Sequence, residues 1–179
     1  MLSFTKRIAA GSVIFEKNRV LMETLPTHLS DYELERGKPM PSFNHSIVQL
    51  NIGSELRSRL RQTHTITSEL NLELNGKKMV PDLAIFSKLT PDMQHDILWV
   101  QDVPLTTIEI LSPKQDLNSL LEKARLFLAA GVKSCWIVLP AVGTLAVFTG
   151  PTTYRSFTNG GAVVDEVLGV EIPLADIFS

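Results

Sequence analysis

The middle of the chain constrains its fold most, because two short apolar runs flank a helical one. Residues 105–111 (LTTIEIL) and Ser134–Leu139 (SCWIVL) are rich in β-branched, aromatic and aliphatic residues, which is the composition of strands buried in a sheet. Between them, Leu117, Leu120, Leu121, Ala124, Phe127 and Leu128 recur at helical spacing. Ser112-Pro113 stops the first strand, and Gly131 suits the residue just past a helix end, so the spacing predicts a helix from about Asn118 to Ala130. A strand, a short helix and a strand imply a parallel pair joined by a right-handed crossover.

The flanking segments extend that unit into a mixed sheet with helices on it. Asn44 is a good N-cap, and Val48, Ile52, Leu56 and Leu60 form one stripe, so a helix is expected to about Arg61, with Gly53 weakening it slightly. Thr65–Leu74 alternates as a strand, Asn75-Gly76 signals a turn, and Val80–Phe86 is a second strand. Residues 11–24 alternate around 16–19 as a hairpin would, 25–44 are loop-like, and 91–102 form a polar connection. Beyond Gly143, strand-like pieces fall at 145–149, 154–157 and 162–164, before an apolar tail. The expected fold class is α/β (α+β), with a mixed central sheet, flanking helices and extra antiparallel strands. At 179 residues, without a repeat or a linker-like composition break, the chain is expected to form a single domain over 1–179.

Composition limits the partners. A formal charge of −2 gives no general pull towards nucleic acid, so a DNA ligand needs a local basic patch. The single cysteine, Cys135, allows no internal disulfide and lies in an apolar run, as an inert core thiol would. With no signal-peptide pattern and no apolar stretch near the ~18 residues that a span needs, the expected location is cytoplasmic, away from the membrane.

Two strands each carry one acid. Asp82 lies in the VPDLAIF run, and Glu109 follows 27 positions later in TTIEIL. A buried charge is costly unless it is paired or coordinates a cation. Alternation puts Glu109 on one face with Leu105, Thr107 and Leu111, and Asp82 on one face with Ala84 and Phe86. Were the strands neighbours, both carboxylates would converge, with the Ile110 carbonyl as a third oxygen. Such an all-oxygen set suits Mg²⁺ or Mn²⁺. Equally, Asp82 could cap its strand while Glu109 pairs with a base.

Lys123 flanks the buried stripe of the second helix, roughly 100° from its middle, and can reach back towards the sheet. There it would polarise a water or hold a phosphate, or simply snorkel to solvent. Glu33, Glu35 and His45 are further candidates near the site, or ordinary loop and cap residues. Arg57, Arg59 and Arg61 suit phosphate contact or the helix dipole. His28, His64 and His95 lack zinc-ligand spacing, and there is no phosphate-cradling glycine loop or nucleophile elbow.

Tyr32–Ser42 (YELERGKPMPS) with His45, then Val80–Ala84 (VPDLA), Ile108–Pro113 (IEILSP), Lys123 and Gly131–Val138 (GVKSCWIV) resemble the bacterial Uma-type restriction-endonuclease domains of the PD-(D/E)XK superfamily. The resemblance runs from about residue 30 to Phe178. It implies an endonuclease-like core, a divalent metal held by Asp82 and Glu109 with Ile110, cleavage of DNA, and a homodimer. The superfamily's lysine two positions after the glutamate is Leu111 here. The resemblance suggests that Lys123 takes that role, with Lys114 as competitor. A nuclease-fold protein that binds nucleic acid without cutting it, or a dimeric interaction module with a vestigial site, are the alternatives.

Overall fold

The computed structural model describes residues 41–158 and 160–179, and Pro41–Ser179 forms a unit of its own. The hairpin expected at 11–24, most of the loop at 25–44, and Glu33, Glu35 and His28 lie outside the described residues.

Helix α1 spans Phe43–Leu60 and buries Val48, Ile52, Leu56 and Leu60, the stripe that its periodicity marks. Its N-cap is Ser42, not Asn44: the Ser42 hydroxyl oxygen accepts the His45 amide at 3.3 Å. Both residue types cap well; with Ser42 as the cap, His45 falls in the first turn, where it is buried.

The Thr65–Leu74 alternation does not form one strand. It breaks into β1 (His64–Ser68) and β2 (Leu72–Leu74), which belong to different sheets. The break is at Glu69, a non-glycine residue in the left-handed region (φ 54°), whose amide donates to the Asp82 carbonyl at 3.1 Å. Asn75 (φ 51°) and Gly76 (φ 71°) then turn β2 into β3 (Lys77–Met79), as that dipeptide predicts.

Strands β4 (Leu83–Ser87) and β5 (Thr106–Ile110), helix α2 (Leu117–Ala129) and strand β6 (Ser134–Leu139) follow. A 3₁₀ turn at Pro140–Val142 leads to β7 (Thr144–Phe148) and β8 (Tyr154–Phe157). The main sheet has the order β1-β4-β5-β6-β7-β8. Only β5 and β6 pair in parallel, and α2 connects them, so the crossover unit expected from the middle of the chain is present. Strands β9 (Ala162–Asp165) and β10 (Val170–Pro173) form a separate hairpin, and α3 (Leu174–Ile177) ends the unit.

Alternation along the strands creates two apolar layers. Ile85, Ile108, Ile110, Trp136 and Val138 join the α1 stripe and the β9–β10–α3 segment. Ala84, Phe86, Cys135 and Ile137 join Leu120, Ala124 and Phe127 of α2, together with the β2–β3 hairpin. The apolar residues Leu145 and Val147 of β7 and Val170 and Ile172 of β10 are buried in the first of these layers.

Candidate active site

The β4–β5 ladder is antiparallel, with Leu83 opposite Ile108. One step further along that register, Asp82 stands across from Glu109. Both side chains share the parity of the residues packed on the α2 layer, and both are almost wholly buried, at 3% and 2% exposure.

Two elements, β5 and α1, meet at the Asp82 carboxylate. Its Oδ2 accepts the Ile110 backbone amide at 2.7 Å, which ties the start of β4 to the end of β5. The same oxygen lies 3.1 Å from Nε2 of His45, delivered by the first turn of α1. One helical turn along, Gln49 donates through Nε2 to the Asp82 carbonyl at 3.0 Å and to Glu69 Oε1 at 3.3 Å. Gln49 was not legible as a site residue. Its i, i+4 relation to His45 is the signal that places both on one line of α1.

Glu109 takes its counter-charge from α2. The Lys123 ammonium lies 2.7 Å from Oε1 and 2.8 Å from Oε2, and also donates to the Val80 carbonyl at 2.7 Å. The helix thus sends its lysine back over the sheet edge, as the position beside the apolar stripe allows. Lys114 is exposed in the turn that follows Pro113, and Leu111 packs into the α2 layer. The register sets the two acids across from each other, and each carboxylate already has a partner.

Cys135 on β6 stands beside Thr107, two positions before Glu109. Thr107 donates to its sulfur at 3.3 Å, and burial pushes the thiol up to about 12, with Thr107 working in the opposite direction. It is a packed neutral group and not a nucleophile.

Several sequence candidates stand apart. Arg59 pairs with Glu55 at 2.9 Å, and Arg57 and Arg61 are exposed towards the far end of α1 from His45, about 18 and 24 Å away at the rise of a helix. His64 meets Thr63 at 2.8 Å, and His95 meets Asp92 at 2.9 Å on an exposed loop, where it holds that carboxylate below its usual range. A buried acid that the sequence did not single out, Asp165, belongs to the opposite layer. Its Oδ2 accepts from Ser134 Oγ and Trp136 Nε1, both at 2.7 Å, while Oδ1 accepts the amides of Val167 and Leu168.

Among the described residues no group of three or more acidic, histidine or cysteine side chains could hold a metal, and no helix is long and apolar enough to cross a membrane. A six-stranded mixed sheet with helices packed on it, and a helix joining its parallel pair, is the architecture of the restriction-endonuclease-like class of α/β fold. Residues 22–175 match the family described as "Uma2: Putative restriction endonuclease", and the chain belongs to that family. A solved structure, described as a putative nuclease belonging to DUF820 from Anabaena variabilis, shares its fold with a TM-score of 0.69. The two are 23% identical over 78% of this chain and 83% of that one. No curated protein matches the chain.

Proposed function

We propose that the protein is a divalent-cation-dependent nuclease acting on DNA phosphodiester bonds, with Asp82, Glu109 and the Ile110 carbonyl as ion ligands. The observation that carries this is the pair of buried carboxylates set opposite each other by the β4–β5 register. A fold gains little from placing two acids there unless a positive charge joins them. The donor set fits a hard cation, because every candidate ligand is an oxygen. With only two carboxylates and a carbonyl from the protein, an ion would keep several waters, as Mg²⁺ does.

A bound divalent cation would supply charge neutralisation at the phosphoryl oxygens and a more acidic water. The chain's own residues do the rest. The Ile110 amide fixes the Asp82 carboxylate, so the strand pair sets its direction before substrate arrives. In this reading Lys123, donated from the helix beside Glu109, takes the role of the superfamily's strand lysine. Its ammonium would orient the attacking water or stabilise charge on the phosphoryl group. Family membership supports this reading, and the resemblance adds a homodimer, which light scattering of the purified chain decides.

Incubating the full chain with plasmid, single-stranded and branched DNA, and with RNA, in Mg²⁺ and Mn²⁺ tests the proposal. Cleavage of DNA is expected, and Asp82→Ala should abolish both cleavage and Mn²⁺ uptake while keeping the circular dichroism spectrum. Unchanged cleavage in Asp82→Ala rejects it. A second reading, nucleic-acid binding without cleavage, draws on the ammonium that already neutralises Glu109. A salt-dependent shift of DNA mobility with no product identifies that case.

A further inference from the structure

His45 makes a contact that its packing does not require. It is 3% exposed, its Nε2 lies 3.1 Å from Asp82 Oδ2, and its Nδ1 is buried with no hydrogen-bond partner. A histidine kept only to fill space on α1 would be replaceable by an apolar residue, which leaves no ring nitrogen unsatisfied. The cost of the orphaned Nδ1 is therefore accepted for the sake of what Nε2 does.

What Nε2 does follows from where the donors meet. The His45 ring and the Ile110 amide both address the same oxygen, Oδ2. Two donors from different elements, one a helix and one a strand, fix the rotation of a carboxylate as one donor cannot. Gln49, one turn along, grips the Asp82 carbonyl, so α1 holds both the backbone and the side chain of this residue. Ser42 sets the start of the helix through the His45 amide itself, which fixes the position of the ring.

We infer that His45 is a positioning residue: it orients the Asp82 carboxylate for cation binding, and it touches neither the ion nor the substrate. The inference rests on the proposed cation site. Partners of metal ligands of this kind alter metal affinity by about 10–100-fold when removed.

The test compares His45→Leu, which keeps the bulk and loses the donor, with His45→Gln, whose side-chain amide can again reach Asp82. Mn²⁺ binding to the full chain is read by electron paramagnetic resonance, with thermal melts of each variant alongside. His45→Leu should bind Mn²⁺ about 10–100-fold more weakly, and His45→Gln should recover most of that loss. The two variants should differ far less in melting temperature than in Mn²⁺ affinity, since a purely structural histidine would shift both together. Equal Mn²⁺ affinity in His45→Leu and wild type overturns the inference. If Asp82→Ala still abolishes uptake in that case, the cation site stands and only the role of His45 falls. A wild-type chain that takes up no Mn²⁺ overturns both.

Discussion

Lys123 is the residue on which the site's charge balance turns. Glu109 is 2% exposed, and its carboxylate has the ammonium of a helix residue within 2.8 Å of both oxygens. Replacing Lys123 by methionine keeps the unbranched stem but removes the ammonium that lies over the Phe127 ring and donates to Glu109 and the Val80 carbonyl. Such a change should cost about 1–3 kcal/mol in metal-free buffer, read from urea unfolding, and an unchanged midpoint would show the ion pair to be energetically idle. Cys135, on the neighbouring strand, gives a pH signature. Its folded thiol is pushed up from 9.0 to about 12, so the folded and unfolded chains are both protonated below pH 9 and the group costs nothing there. Above pH 9 the unfolded thiol ionises and the folded one does not. Stability should therefore fall by about 1.4 kcal/mol per pH unit from this group alone, until the folded thiol also titrates. Cys135→Ala should flatten that slope, and native protein at pH 8 should resist iodoacetamide until it is unfolded.

The elements differ in how openly the sequence announces them. Helix α1 was legible from its stripe, yet its start was not, because Ser42 and Asn44 are both competent caps and only packing chooses between them. Ser42→Ala should cost about 1 kcal/mol, seen in thermal melts. The crossover unit was legible because helical and strand periodicities change at Pro113 and Gly131, and the Asn75-Gly76 turn because only a few dipeptides accept its positive φ values. The β1–β2 break was not, since Glu69 carries no local mark of a left-handed residue and its amide partner, Asp82, is remote in sequence. Of the candidate site, the positions of Asp82, Glu109 and Lys123 could be proposed from the parity of the strands and the angle on the helix. Gln49 could not, because its role depends on how α1 crosses the sheet end. Asp165 was invisible for the same reason: its donors Ser134 and Trp136 lie on a strand some thirty residues earlier. Removing its side chain strands those donors and two amides in the interior. Asp165→Ala should destabilise the fold by about 3–5 kcal/mol, read from the denaturant midpoint by far-ultraviolet circular dichroism.

Across the described unit, one apolar layer is completed by residues from both ends. Helix α1 covers the sheet from one end of the sequence, and the β9–β10–α3 segment covers it from the other, in the same cluster. Asn51 fastens them together, donating to the carbonyls of Ile177 and Ser179 at 3.1 Å each. The sheet beneath is mostly built from neighbours in sequence, but this layer requires contacts that span more than a hundred positions, so it closes only when the whole unit is present. Deleting residues 170–179 removes Val170, Ile172, Leu174 and Ile177, all buried. At about 1.5–3 kcal/mol for each large apolar side chain, the loss is on the order of 6–12 kcal/mol, comparable to the whole stability of a domain. The shortened chain should therefore lose its cooperative urea transition and bind a hydrophobic dye, while Asn51→Ala, which breaks only the tie, should keep the transition and shift its midpoint modestly. A sharp transition at the wild-type midpoint in the deletion would mean that α1 and the sheet form the core unaided. The candidate site would then owe its geometry to the β4–β5 ladder and α2 alone.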